Sequence, residues 1–486
     1  MQVLVIGGGI TGLAATHALA EAGFSATLVE ASDRLGGKLR TERIEGFLVE
    51  MGPDSFVSYR PAGMQLVGSL GLEEAVVRPL EPRIVHIRIG GRMVPLPQEM
   101  GLVLPTRLQP FVTTPLFSPL QKLRMGLDLV LPRDGLARDV GVGVYLRRRL
   151  GPALVDRLAG PLLGGVYGTA IDDLSLLAVV PQLRDAEREH RSLFLASLAA
   201  GRARRAAAAQ GTRGGVGSPF VTLAGGVGQL VDGLVGALES SSAVEIRTGT
   251  PVAALARAGT GVEARLASGE VLRPEVTIVT APGPEAARLL DDVAPAAAAG
   301  LRAIPHGTTA VVSLGYEVGQ FPSPPVGHGF LVAAGERLSI DACTISSSKW
   351  PGRAPEGRVL IRAYVGSRSG SAMALSDSDL VAAAIHDVAI TLGVRGEPVM
   401  TRLARWSGQM PQYTVGHLER VTSVLAAAGD VPGLVLAGAT YRGVGIPDCV
   451  AQGRAAAVEA ARIIGGAAGG TATGAAPAVR ERTPAA

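Results

Sequence analysis

The amino-terminal residues combine an apolar strand, a glycine-rich turn and a helical pattern in one short unit. The turn carries Gly7, Gly9 and Gly12 at the spacing G-x-G-x-x-G. Gly7 permits the tight turn out of the strand, Gly9 lets the backbone approach a pyrophosphate, and Gly12 lets the helix pack closely on the sheet. A second apolar strand ends on Glu30, whose carboxylate is placed to accept hydrogen bonds from a ribose. The unit therefore predicts a βαβ fold that binds a dinucleotide at the helix N-terminus.

This fingerprint alone leaves NAD, FAD and an empty glycine-rich turn open. The run from Asp33 to Lys38 adds a second glycine pair and resembles the extension in the flavoprotein group that includes amine oxidases and phytoene desaturases. The resemblance implies FAD. The candidate cofactor residues of these two turns are Gly7, Gly8, Gly9, Ile10, Thr11, Gly12, Glu30, Ala31, Gly37 and Lys38.

Composition excludes several other classes of protein. The net charge of +4 is small for 486 residues, and no basic block carries interleaved aromatics, so nucleic acid is not expected as a partner. The two cysteines, Cys343 and Cys449, exclude a disulfide framework and fit a reducing cytoplasm. The scattered histidines predict no metal site. Met1 leads almost directly into the first strand and no apolar run reaches transmembrane length, so we expect a cytoplasmic protein; peripheral membrane contact stays open.

Further segments extend the predicted site. The turn after a third strand carries Gly52, Pro53, Asp54 and Ser55, and its amides can face a flavin or a phosphate. Near the C-terminus, a buried-strand pattern leads into a helix whose N-terminus would stabilise negative charge on a reduced isoalloxazine ring. These later segments add Val252, Trp406, Val444, Gly445 and Ile446 to the cofactor candidates.

The order of these segments predicts an α/β fold with a discontinuous Rossmann-like FAD-binding domain, an α+β substrate domain and a helical insertion. We expect the insertion to face a membrane or a partner. Its alanine- and arginine-rich residues 200–217 are predicted to form a mobile surface segment. The tail is predicted to be disordered. The predicted boundaries are 1–60, 218–300 and 403–465 for the FAD domain, 61–119 and 301–402 for the substrate domain, 120–217 for the insertion and 466–486 for the tail.

A series of later motifs is similar to the porphyrinogen-oxidising branch of this flavoprotein superfamily, most closely to its bacterial coproporphyrinogen III oxidase family. The match covers nearly the whole chain. The motifs are GPDSF at 52–56, PLLGGVYG at 161–168, SSKWP at 347–351, RAYVG at 362–366 and YRGVGIPDCVAQG at 441–453.

The resemblance implies non-covalent FAD, molecular oxygen as electron acceptor, and a role in heme biosynthesis. Coproporphyrinogen III would lose six electrons in three two-electron steps, each releasing hydrogen peroxide, to give coproporphyrin III. A transient contact with ferrochelatase is a further expectation, and no pattern indicates an oligomeric state. Holding the macrocycle against the flavin in a water-poor cavity is the main requirement, so no catalytic acid or base is assigned.

Two residues are candidates for contact with this substrate. Arg60 follows the Gly52 turn, where the family places a basic residue that can grip a propionate bidentately. Tyr364 lies in a predicted strand with apolar neighbours and would line the macrocycle cavity. The alternatives are an exposed loop arginine and a core tyrosine. Trp406 is expected to pack against the flavin.

Three other functions stay open at this stage. The first is a protoporphyrinogen IX oxidase, since the sequence does not reveal the charge of the cavity that would distinguish four propionates from two. The second is an FAD amine oxidase or carotenoid desaturase, although neither explains SSKWP or GVGIPDC. The third is a porphyrin carrier with a vestigial flavin fold.

Overall fold

The computed structural model describes residues 2–97, 100–101, 103–133, 138–164, 167–209, 218–259, 261–366 and 372–468. The fold consists of two large sheets and a group of helices.

A five-stranded parallel sheet is assembled from three separate parts of the chain. Its strands are, in spatial order, Val244–Arg247, Ala26–Val29, Val3–Ile6, Val276–Val279 and Leu434–Leu436. The central strands are fully buried, as expected for a parallel sheet with helices on both faces. The prediction of a discontinuous Rossmann-like fold is confirmed.

Alternation along the first strand divides the core between the two faces of this sheet. Val3 and Val5 pack under the first helix, Ile10–Glu21, and the last helix, Ile446–Ala468. Leu4 and Ile6 point to the opposite face. The helices on that face are Gly283–Leu290, Pro295–Arg302 and His417–Gly429.

A second, mixed sheet has seven strands. All neighbouring strands are antiparallel except Gly329–Val332 and Val85–Ile89, which run parallel. A hairpin that turns at Gly90 and Gly91 forms one edge of this sheet. In spatial order the strands are Met400–Pro411, His306–Glu317, Arg358–Val365, Ala342–Ile345, Gly329–Val332, Val85–Ile89 and Arg92–Pro95.

The helical insertion has an apolar core of its own, built from residues between Val103 and Phe194 and closed by Ile87 and Ala333 of the mixed sheet. Its helices are Leu108–Thr113, Pro119–Gly126, Val142–Leu150, Pro152–Leu154, Leu176–Val179, Pro181–His190 and Leu193–Ala209, with a π-helix at Val155–Gly164 and a 3₁₀ turn at Leu127–Leu129.

Smaller elements complete the description. The remaining helices are Pro61–Ser69, Gln229–Glu239, Ser346–Lys349 and Asp377–Leu392, with 3₁₀ turns at Glu73–Ala75, Val318–Gln320 and Ala372–Ala374. The remaining strands are Thr41–Ile44, Phe47–Glu50, Phe56–Val57, Val76–Val77, Phe220–Leu223, Val252–Ala258, Gly261–Leu266 and Val271–Leu272.

Packing moves three of the predicted domain boundaries. The strand Met400–Pro411 crosses the boundary at 403 and pairs with His306–Glu317, so residues 403–411 belong to the mixed sheet. Leu66 and Val67 join the core of the parallel sheet rather than the substrate domain. Phe111 and Leu116 belong to the core of the helical insertion, which therefore begins before residue 120.

Two predicted irregular segments are partly helical. Residues 200–209 continue the helix Leu193–Ala209, because a run of alanines has high helix propensity, so the prediction of a mobile segment is wrong there. The last helix continues to Ala468, beyond the predicted start of the tail at 466. Residues 210–217 and 469–486 lie outside the described part of the chain.

None of the helices within the described ranges combines the length and the apolar character needed to cross a membrane.

Candidate flavin and substrate site

The first glycine turn is shaped by two different steric demands. Gly7 has a φ of +109°, and a Cβ added to Gly12 would lie 1.9 Å from the Gly7 carbonyl oxygen. These two glycines are therefore required by the fold itself. A Cβ added to Gly9 would meet no protein atom within 4 Å, so Gly9 borders open space at the N-terminus of the first helix. That space suits a pyrophosphate.

The second glycine turn lies directly against the first. The Gly36 amide donates a 2.8 Å hydrogen bond to the Gly8 carbonyl. Gly37 has a φ of +57°, and its added Cβ would lie 3.3 Å from the Gly9 Cα. The two turns that carry the candidate cofactor residues are therefore in direct contact.

Glu30 fastens the first turn. One carboxylate oxygen accepts from the Gly8 amide at 2.6 Å, and the other accepts from the Ser32 amide at 2.9 Å. The Thr250 amide donates to the Glu30 carbonyl at 2.8 Å, which brings the segment before Val252 to this edge of the sheet. The Val252 side chain itself is buried in the core.

The turn from Gly52 to Ser55 closes against Lys38. A Cβ on Gly52 would lie 2.1 Å from the Lys38 carbonyl oxygen. The Lys38 ammonium donates to the Gln409 carbonyl at 2.7 Å, and burial lowers its pKa. A half-buried cation beside two glycine turns suits an anionic group of a cofactor.

Trp406 lies next to this turn, on the long strand of the mixed sheet. Its indole N–H donates to the Met51 carbonyl at 2.8 Å, directly before Gly52. The ring is partly buried. The contact that we expect between Trp406 and the flavin ring stays a prediction.

The last helix begins at Ile446, as predicted, and lies against the first helix. A Cβ on Gly453 would lie 2.3 Å from the Thr11 carbonyl oxygen, so these two helices need a glycine at their contact. Cys449, in the first turn of the last helix, is buried beside the Thr11 side chain. Val444 and Gly445 precede this turn and are half-buried. Both helix N-termini therefore point to the same region.

The two substrate candidates have different partners. The Arg60 guanidinium pairs with the Asp448 carboxylate in the first turn of the last helix, and the Arg60 side chain is 45% exposed. The Tyr364 hydroxyl accepts from Arg362 at 3.0 Å and is held near Gly52 through that arginine.

Several residues at the site were not assigned by sequence reasoning. Lys349, Trp350 and Arg362 surround Asp54. The ring of Tyr167 lies tilted against that of Tyr413, with centroids 5.8 Å apart. The SSKWP, RAYVG and PLLGGVYG motifs were the available signals, but motif letters do not reveal a partner on another element.

Within the described residues, no group of three histidine, cysteine, aspartate or glutamate side chains is arranged to hold a metal ion.

Two glycine turns, a half-buried lysine and two neighbouring helix N-termini form a site of the kind that binds a dinucleotide. Residues 10–461 match the family described as flavin containing amine oxidoreductase. The chain belongs to that family.

Curated relatives match almost the whole chain. It is 44% identical to the coproporphyrinogen III oxidase of Propionibacterium freudenreichii subsp. freudenreichii, over 94% of this chain and 90% of the relative. The coproporphyrinogen III oxidase of Bacillus subtilis (strain 168) is 36% identical, covering 94% and 97% of the two chains. The Bos taurus protoporphyrinogen oxidase is 32% identical, over 95% of this chain and 98% of the relative.

A crystal structure from Exiguobacterium sp. 255-15, which carries a provisional protoporphyrinogen oxidase name, superposes with a TM-score of 0.81. It is 33% identical and covers 94% of this chain and 98% of its own.

Proposed function

We propose that this protein is a coproporphyrinogen III oxidase that uses FAD and molecular oxygen. The observation that carries the proposal is the 44% identity to a protein of that name over 94% of the chain. The geometry supports it, since the two glycine turns lie against each other, Arg60 pairs with the first turn of the last helix, and Arg362 links Tyr364 to Gly52. The overall reaction is coproporphyrinogen III plus three O₂ giving coproporphyrin III plus three H₂O₂, in heme biosynthesis.

The residues present fit FAD. Gly9 leaves the space for the pyrophosphate, Glu30 ends the strand beside the ribose position, and the ammonium of Lys38 faces the same region. When bound, FAD would accept a hydride from a meso carbon and deliver the electrons to oxygen. The N-terminal dipole of the last helix, from Ile446, would stabilise the resulting negative charge.

We also propose that the cofactor is held without a covalent bond. Cys449 is the cysteine beside the first helix, and burial raises the pKa of its thiol to about 11, although Thr11 and Lys38 act in the opposite direction. A protonated thiol is a poor nucleophile. Acid precipitation of the purified protein should release all flavin into the supernatant, and flavin retained in the pellet would contradict this.

Arg60 is proposed to bind a substrate propionate. Its pairing with Asp448 is partly exposed, so it is weak and can give way to a second carboxylate. Tyr364 is proposed to line the macrocycle cavity beside Arg362. The protein's contribution is to orient the substrate and exclude water rather than to supply a catalytic acid or base.

The decisive experiment supplies the purified protein with each porphyrinogen separately under air. Porphyrin fluorescence and peroxide are followed together, with heat-denatured protein as the control. Coproporphyrinogen III should turn over faster than protoporphyrinogen IX, with one peroxide for every two electrons. The absence of a catalysed rise with either substrate would disprove the proposal.

Protoporphyrinogen IX oxidation is the second candidate, because the Bos taurus relative is named for it at 32% identity. Faster turnover of protoporphyrinogen in the same assay would favour it. The amine oxidase alternative has fold-level support alone, since putrescine oxidase is 17% identical with a TM-score of 0.68. A porphyrin carrier would bind porphyrin without producing peroxide.

The helical insertion is proposed as a contact surface for a membrane or for a partner such as ferrochelatase. Leu120, Leu123, Leu127 and Val130 follow a helical spacing and are all exposed, at 44–76%. An exposed apolar stripe of this kind is typical of an interaction surface. Sedimentation with anionic vesicles would support the membrane contact, and co-purification of ferrochelatase would support the partner contact. A cytoplasmic location stays a prediction that fits the two unpaired, buried cysteines.

A further inference from the structure

The turn that carries Gly52 and Asp54 is fastened by side chains from the mixed sheet and from the short helix next to it. The Lys349 ammonium lies 2.9 Å from the Asp54 Oδ2, and the indole N–H of Trp350 donates to the same oxygen at 3.0 Å. Both donors come from the SSKWP motif, which the proposed function does not otherwise use. Trp350 is fully buried and the Asp54 side chain is 11% exposed.

Arg362 connects the same turn to a substrate candidate. One of its terminal nitrogens donates to the Gly52 carbonyl, and the other donates to the Tyr364 hydroxyl at 3.0 Å. The second nitrogen also lies 3.8 Å from the Asp54 carboxylate. The Arg362 side chain is 1% exposed, so its two terminal nitrogens contact these groups rather than solvent, while its buried Nε has no hydrogen-bond partner among the described residues.

The charges of Lys349 and Arg362 stabilise the Asp54 carboxylate. Burial alone would raise the pKa of the Asp54 carboxyl, but Lys349 and Arg362 outweigh burial and hold the pKa well below its usual range. The carboxylate is therefore charged, and a charged group with little solvent depends on its partners. Removing one partner leaves a poorly compensated charge, which is relieved by protonation of Asp54 or by movement of the turn.

We propose that Lys349, Trp350 and Arg362 are positioning residues that set the geometry of the flavin-facing turn through Asp54. The mixed sheet and the cofactor turn then act as one unit. A ligand that binds the Tyr364 hydroxyl would compete with Arg362 for it, and a shift of Arg362 would move the Gly52 carbonyl. This inference rests on the proposed function only in requiring that FAD occupies the site beside this turn.

The test compares two equivalent lysine substitutions. Lys349→Met removes the ammonium beside Asp54, and Lys122→Met removes an ammonium that donates to the carbonyls of Val112 and Thr114 at 2.6 and 2.8 Å in the helical insertion. Each deflavinated variant is titrated with FAD by fluorescence quenching, and the visible flavin bands of each reconstituted holoprotein are recorded.

We expect Lys349→Met to weaken FAD binding about tenfold and to shift the flavin bands, which is within the usual range of coupling between sites. Lys122→Met should stay within about twofold of wild type, and Lys349→Arg should restore the bands because it keeps the cation. The double variant Asp54→Asn with Lys349→Met should bind FAD no more weakly than the weaker of the two single variants, since each substitution removes the same ion pair.

A purely structural role has a different signature. Lys349→Met would then lower the thermal midpoint while FAD affinity and flavin bands stay at wild-type values, and this result would overturn the proposal. If Lys349→Met does not fold, Trp350→Phe removes the N–H donor to Asp54 and keeps an aromatic, though smaller, ring, and the same two readouts decide.

The two proposals fail in distinguishable ways. Wild-type protein that binds FAD but oxidises neither porphyrinogen would disprove the proposed function, while the titrations would still test the positioning residues. Wild-type protein that does not bind FAD at all would overturn both.

Discussion

The cofactor turns and the substrate side of the site are built by different means. Around Gly7, Gly12 and Gly52, the backbone itself makes the contacts, and an added Cβ would lie 1.9–2.8 Å from other atoms. On the substrate side, side chains make the contacts: Arg60 pairs with Asp448, and the Tyr364 hydroxyl accepts from Arg362. The glycine contacts should therefore be sensitive to added volume, and the side-chain contacts to charge and pH.

Gly12→Ala should produce the largest loss. Alanine favours a helix interior over glycine by about 1 kcal/mol, but the clash with the Gly7 carbonyl should outweigh this and lower the free energy of unfolding by about 3 kcal/mol. Denaturant unfolding of the apoprotein measures it. Gly23→Ala is a poor control because of its positive φ, whereas Gly236→Ala has open space and should be neutral or stabilising. Unchanged stability in Gly12→Ala would contradict the steric account.

His417 should make stability depend on pH. It is fully buried and donates from Nε2 to the Tyr441 carbonyl at 2.9 Å; burial lowers its pKa from 6.5 to about 4. Between those values the unfolded chain binds a proton that the folded chain does not, so stability falls as pH is lowered through the window. The loss is at most about 3 kcal/mol.

His417→Gln should flatten that dependence, as measured by urea unfolding at several pH values between 6.5 and 4. His190→Gln is the matched control, because His190 is exposed. An unchanged slope in His417→Gln would show that other groups carry the pH dependence.

Gly9→Ala should separate cofactor space from protein packing. Gly9 has ordinary extended backbone angles and its added Cβ meets no protein atom, so the unfolding free energy should change by less than about 0.5 kcal/mol. FAD affinity should fall at least about tenfold, or ~1.4 kcal/mol, because the methyl group occupies the pyrophosphate position. Wild-type affinity in this variant would place the pyrophosphate elsewhere.

Arg60→Gln should have the smallest effect. We expect the KM for coproporphyrinogen to rise about tenfold with little change in kcat, and the stability to change by less than about 1 kcal/mol because the pair with Asp448 is partly exposed. Arg302→Gln breaks a comparable exposed pair with Asp291 and should leave the kinetics unchanged. Equal KM values for both variants would show that Arg60 is an exposed arginine that does not bind the substrate.

Local signals predicted the cofactor side well. The strands Val3–Ile6 and Ala26–Val29, the glycine turns between and after them, and the start of the last helix at Ile446 all lie where hydrophobic runs and glycines place them. Steric demands at a glycine are local properties of the chain, so the sequence displays them directly.

Prediction failed where packing overrides local pattern. The boundary at 403 was wrong because the strand Met400–Pro411 continues through it to pair with His306–Glu317. Residues 200–209 were misjudged because composition suggested a mobile segment while alanine propensity favours the helix.

The sequence by itself determined the dinucleotide fold, the flavoprotein family and the residues of the glycine turns. Only the tertiary structure decided that Asp54 pairs with Lys349, 295 residues away along the chain. It also decided that Arg60 pairs with Asp448. A glycine reports its role through its own backbone. A charged side chain acquires its role from a partner, and the fold alone decides which partner is within reach.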